Sequence, residues 1–195
     1  MKIAIASLRS ISPYSQSRFH DTPLLNDGKE GKDDHEMRTW AERLHVTEDG
    51  HVFIPPMCFK KSIETAARFL GQQIKGRGKA TYTKHFKAGI LVTDALVLPD
   101  KKKDVPGEVY FVPADGKSGG RVKRKFPVIR EWSGNVTFYI LDEIISQDVF
   151  TAHLKEAGNF IGIGRFRPEN GGFYGRFAVD RVDWQEASVD MAMAA

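Results

Sequence analysis

The sequence predicts an α+β fold in which a core of strand, helix, strand, strand, helix, strand is interrupted by two large insertions, at about residues 10–50 and 100–131. Three observations carry this prediction. Two segments alternate apolar with polar or small residues, 2–9 and 135–141; two others, 56–70 and 146–157, repeat apolar residues at helical spacing; and the stretches between them are polar and rich in turn residues. With 195 residues and 41% hydrophobic content, the chain buries one sizeable core, so residues 1–195 are expected to form a single domain.

Taken in order, residues 2–9 predict the first strand, and a polar stretch with Pro13 and Pro23 runs to about Lys32. Trp40, Leu44 and Val46 share one phase of period two, and Glu48-Asp49-Gly50 supplies a turn before His51–Ile54, which predicts a hairpin. Pro55-Pro56 opens a helix whose inner stripe is Phe59, Ile63, Ala66, Ala67 and Leu70, ending at Gly71. Lys75-Gly76-Arg77-Gly78-Lys79 is a cationic loop, and residues 89–98 predict a buried strand.

In the second insertion, strand-like pieces 108–112 and 121–128 flank the turn residues 114–120, a projecting hairpin. Asn135–Leu141 is a strand, and Ser146 caps a helix with Val149, Phe150, His153, Leu154 and Ala157 inward, which Gly158 would end. Alternation over Phe173–Trp184 predicts the last strand. Without the insertions, this order is the ferredoxin-like (RRM-like) βαββαβ arrangement that RNA-recognition modules use.

The lone Cys58 forms no internal disulfide and fits a reducing cytoplasm; no C-x-x-C or H-E-x-x-H spacing offers a metal site, and no cofactor is expected. The first residues meet a charge too early for a signal sequence, and no apolar run approaches the roughly 18 residues of a membrane span. A net charge of +4 is modest, but its distribution is uneven. Lys60, Lys61, Arg68, Lys75, Arg77, Lys79, Lys84 and Lys87 face only Glu64 over one stretch, whereas Asp21–Asp49 is dominated by acids. Such runs are either solvated faces or the footprint of an anionic partner.

The most specific segment is Phe160–Phe177, FIGIGRFRPENGGFYGRF, where five glycines surround three arginines. Glycines admit close approach of a phosphate, Arg165, Arg167 and Arg176 add charge-assisted contacts, and Phe166, Phe173 and Tyr174 offer stacking faces; a tight connection with core aromatics is the other reading. The expected nucleic-acid-binding set is Lys60, Lys61, Lys75, Arg77, Lys79, Tyr82, Lys84 and His85, with Lys123, Arg124 and Lys125 of the second insertion and Gly162, Gly164, Arg165, Phe166, Arg167, Gly171, Gly172 and Arg176.

Gly162-Ile163-Gly164 followed by Gly171-Gly172-Phe173-Tyr174-Gly175, with Ile54-Pro55-Pro56-Met57-Cys58-Phe59-Lys60-Lys61 at the start of the first core helix, resembles the RAMP superfamily, which includes the crRNA-binding backbone subunits of CRISPR effectors. Pro56 and Lys61 stand where that family has glycines, and Lys60 matches its basic residue. The resemblance covers most of the chain and implies a divergent, phage-borne member, acting in the cytoplasm of a bacterial host cell, with thumb-like and finger-like insertions. It also implies a single-stranded RNA or DNA ligand, head-to-tail self-association into a filament, and CRISPR-type subunits as partners.

Other motifs lack their context. A dinucleotide fingerprint needs glycine where Arg167 stands, and Gly116-Lys117-Ser118 has Phe111 where a P-loop begins with glycine. The same segment matches G-x-S-x-G without the strand and helix of a hydrolase elbow. Two alternatives remain: a metal-independent endoribonuclease using His85 or Asp34 for proton transfer, and a backbone-subunit mimic that blocks a host complex.

Overall fold

The computed structural model describes residues 1–25, 28–113 and 120–186. In chain order the elements are β1 (Lys2–Ser10), α1 (Lys32–Thr39), β2 (His51–Ile54), α2 (Pro56–Leu70), α3 (Thr83–Gly89), β3 (Ile90–Leu91), β4 (Leu96–Lys101), β5 (Gly107–Pro113), β6 (Arg121–Pro127), β7 (Ser133–Ile140), α4 (Gln147–Glu156) and β8 (Phe177–Glu186). The fold is mixed α+β with antiparallel sheets: a four-stranded sheet in the order β3-β7-β1-β8, and two-stranded pairs β2-β4 and β5-β6.

The central position of β1 follows from its alternation. Ala4, Ala6 and Leu8 are buried, and Ala4 stands between Phe138 of β7 and Trp184 of β8. Phe150 of α4 meets both flanking rings, at 5.2 and 5.8 Å. On the opposite face Ile3, Ile5 and Ser7 stay half-buried, Ser7 donating to the Asn135 side chain. The helix α2 begins with Pro56 in its first turn, ends at Gly71 in the left-handed conformation (φ 56), and buries Phe59, Ile63, Ala66 and Ala67. Ser146 accepts the Val149 N–H at the start of α4.

Five sequence expectations are corrected. The last strand starts at Phe177 rather than Phe173, because Tyr174 and Gly175 form a turn bonded to Phe166 and Pro13. Residues 39–46 are not a strand: α1 runs into a 3-10 turn, Trp40–Arg43, and only Val46 bridges to Val52. Arg38–Glu30 and Arg43–Glu36 ion pairs and the stacking of Lys125 over Trp40 hold that helical path against the period-two pattern. The expected strand 89–98 divides, because Ile90 and Leu91 pair with β7 whereas Leu96–Lys101 turns to β2. The segment before it forms α3, which the lysine-rich sequence obscured. Finally, Gly158 does not end the second core helix; a π turn continues it through Ala157–Ile161, and Gly158 is required because a Cβ there would collide with the Phe177 carbonyl.

The two insertions pack on each other. The β5-β6 hairpin forms as expected, and its tip, residues 114–119, including the Gly116-Lys117-Ser118 motif, lies outside the described residues. Arg124 pairs with Asp33 and, at 3.2 Å, with Glu36; Lys125 lies 4.7 Å over Trp40, and Lys102 meets Glu42 at 2.8 Å. Acid in the first insertion therefore neutralises base in the second.

Candidate nucleic-acid interface

The glycine-rich segment is a folded strap against the chain that follows β1. Gly175 N–H donates to the Pro13 carbonyl at 2.7 Å, Arg165 N–H to Ser15 at 3.0 Å, and Ile163 N–H to Gly175 at 3.0 Å. A Cβ on Gly164 would collide with the Ser15 carbonyl, on Gly172 with that of Phe166, and on Gly175 with that of Ile163. These three glycines are needed for backbone-to-backbone packing, which holds the arginines between them in place. Phe166 has positive φ (52), rare for a bulky residue, and its ring packs on Phe126, Tyr174 and Tyr110.

Between this strap, the Tyr14–Ser17 segment and the first turns of α2 lies a cleft of about 430 Å³. Its walls include Tyr14, His45, Met57, Ile161 and Ile163, and its cations are Arg165, Arg167 and Lys61. Gln16 fixes one wall by donating to Phe53 O at 2.7 Å and accepting from His45 N–H at 2.6 Å. Arg165 lies 3.9 Å over the Phe126 ring, and its Nη1 is buried without a hydrogen-bond partner among the described residues. Burial first, then the Arg43 charge, lowers its pKa to about 10, with Glu36 opposing and Arg124 adding to the fall. Arg165 therefore remains cationic at neutral pH.

The other groups of the cleft are already paired or inert. Glu169 accepts from Arg167 at 2.8 Å and meets Arg68 at 3.5 Å, while Lys61 pairs with Glu64 at 3.1 Å. Cys58 lies 3.9 Å from the Tyr14 hydroxyl, and burial raises both pKa values, which disfavours the thiolate and the phenolate.

The remaining sequence candidates do not converge here. Lys60 is 8% exposed and donates its Nζ to the Phe86 and Lys87 carbonyls, at 3.0 and 2.7 Å, capping α3. Tyr82 is buried against Phe86 and His153. Lys75, Arg77, Lys79 and Lys84 are exposed on the loop before α3 and on α3 itself. Among the β6 cations, Lys123 is exposed, and Arg124 and Lys125 are engaged by the first insertion. Arg176 donates to the Asn159 carbonyl, and Gly171, with φ 78, has open space around its Cα.

The two groups considered for proton transfer are apart in role. Asp34 sits in the first turn of α1, whereas His85 Nδ1 meets Asp142 Oδ2 at 2.6 Å. Partial burial raises the Asp142 carboxyl, but the His85 hydrogen bond, the Ile144 N–H and the Arg77 charge outweigh it and hold the pKa below the usual value. Sequence reasoning missed Asp142, as it missed Tyr14, Gln16 and His45, because each acts through contacts with distant segments; it also missed Glu169, which pairs with Arg167 two residues before it. Glu169 alone carried a signal, being an acid between two arginines in the glycine-rich segment.

No helix among the described residues is long and apolar enough to cross a membrane, and no group of three or more His, Cys, Asp or Glu side chains among them could hold a metal ion. No protein-family model matches the chain, and no curated protein matches it in sequence.

Proposed function

We propose that the chain binds single-stranded nucleic acid, RNA or DNA, largely irrespective of sequence, with phosphates held in the cleft between the glycine-rich strap and α2. The observation that carries this reading is the buried, unpartnered Nη1 of Arg165 beside a cleft that Arg167 and Lys61 also line. A guanidinium N–H without an acceptor is costly, and a phosphate oxygen is its natural partner.

A ferredoxin-like core of RAMP type belongs to the same proposal. Two strand-helix-strand crossovers support it, β1-α2-β3 and β7-α4-β8, each stepping over one antiparallel neighbour. So does the position of the glycine-rich strap between α4 and β8. Head-to-tail assembly along the strand, with the paired insertions reaching the next copy, extends the proposal to CRISPR-type partners.

Fluorescence anisotropy with labelled oligo-dT and oligo-U over a salt series tests it. Log affinity is expected to fall linearly with log salt, with a slope of roughly −0.7 per phosphate neutralised. Salt-independent binding, or none, overturns the reading. Electron microscopy of the same mixtures tests assembly.

RNA cleavage is a second reading, favoured by the His85–Asp142 pair beside exposed Lys84. Labelled RNA cut by the wild type but not by His85→Ala or Asp142→Asn would establish it; intact RNA with all three would remove it.

A further inference from the structure

We infer that the rings of Phe69 and Phe160 form a base-stacking platform for the same strand, an inference that rests on the strand-binding reading above. Phe69 stands in the last turn of α2, off its buried stripe, and Phe160 in the π turn after α4. They are 62% and 50% exposed, yet stacked on each other at 5.6 Å with 28° between planes. Both rings thus lie outside the core while holding each other in a fixed orientation.

Position and charge identify the occupant. Phe69 and Phe160 line a groove of about 410 Å³ with Arg68 and Arg176, and Ile161 and Glu169 line both this groove and the phosphate cleft. A strand leaving the cleft past Glu169 reaches an aromatic surface flanked by guanidinium groups, which pairs π-faces for bases with cations for the backbone. The pair is too close to admit a base between the rings, which would need roughly twice the 3.4 Å rise of stacked bases. Bases therefore stack on an outer face. Because every base has a π-face, the platform adds affinity without sequence choice.

The test compares an oligo-dT strand with an abasic strand of equal length, using wild type, the Phe69→Ala/Phe160→Ala double variant and Phe160→Trp. Thermal melts check folding. The double variant is expected to bind oligo-dT about 5- to 150-fold more weakly with the salt slope retained, and to lose the wild type's preference over the abasic strand. Phe160→Trp keeps or strengthens binding, and 5-iodouracil in the strand crosslinks to Phe69 or Phe160. If wild type binds both strands alike, or the double variant matches wild type on oligo-dT, the platform is wrong and strand binding stands. If wild type binds neither strand at any salt, strand binding fails and the platform with it. Unchanged binding with loss of self-association in ultracentrifugation would instead make the pair a contact between copies and overturn the inference.

Discussion

The Arg165 guanidinium lies 3.9 Å over the Phe126 ring, with Nη1 buried and unpartnered. In the free protein this geometry is a cost, since an unsatisfied buried donor destabilises by about 1–3 kcal/mol or more. The Arg43 and Arg124 charges lower its pKa further, and on the proposed reading a phosphate bound at this guanidinium would relieve both burdens.

Replacing Arg165 by methionine keeps volume and removes the charge. The free variant is expected to melt at or above the wild-type temperature while binding all single strands more weakly, with the salt slope shallower by roughly 0.7 per lost contact. Arg167→Ala shallows the slope without the gain in stability, because Arg167 is paired with Glu169. Differential scanning fluorimetry and anisotropy titrations separate the two.

Lys60→Met is expected to have the opposite profile. Its Nζ serves the Phe86 and Lys87 carbonyls, so its loss leaves the end of α3 uncapped and destabilises the protein by about 1–3 kcal/mol. The salt slope of binding stays unchanged. Urea denaturation reads the first effect and anisotropy the second.

The glycines divide by what surrounds them. Gly175→Ala drives a methyl into the Ile163 carbonyl at φ 70 and is expected to cost about 3 kcal/mol or more. Gly171→Ala, at φ 78 with nothing within 4 Å, carries only the left-handed backbone penalty of about 1–2 kcal/mol. Equilibrium unfolding of both variants checks the difference.

His153 sets a pH dependence. It is fully buried, stacked on Phe86 at 4.3 Å, with Nδ1 bonded to Val149 O and Nε2 without a partner among the described residues. Burial lowers its pKa, against smaller opposing effects of the Val149 hydrogen bond and Glu156. Below the unfolded value of about 6.5 the unfolded chain binds the extra proton first, so stability is full above that pH and falls as pH drops toward the lowered folded value. His45 and His20 are also lowered and act in the same sense. The measurable quantity is thus the loss between about pH 8 and about pH 5.5 in wild type relative to His153→Leu, which should lose less.

Local pattern made much of the molecule legible: β1 from its alternation, α2 from its stripe and flanking Pro56 and Gly71, α4 from Ser146, and the β5-β6 hairpin from its turn residues. The cleft was legible in part. Its arginines and glycines stood out in one short segment, whereas Tyr14, Gln16 and His45 are ordinary loop residues until the strap folds onto them.

By itself the sequence determined which segments have a buried side and where the chain must turn, because hydrophobic spacing, caps and glycine act over a few residues. Only the tertiary structure decided what each charge does. Lys60 and Arg124 read like Lys79 and Lys123 in one dimension, yet Lys60 is bonded to the end of α3 and Arg124 to α1, while Lys79 and Lys123 remain exposed. The physical reason is that a cation's role depends on the carbonyl, carboxylate or ring brought against it, and those partners lie tens of residues away along the chain.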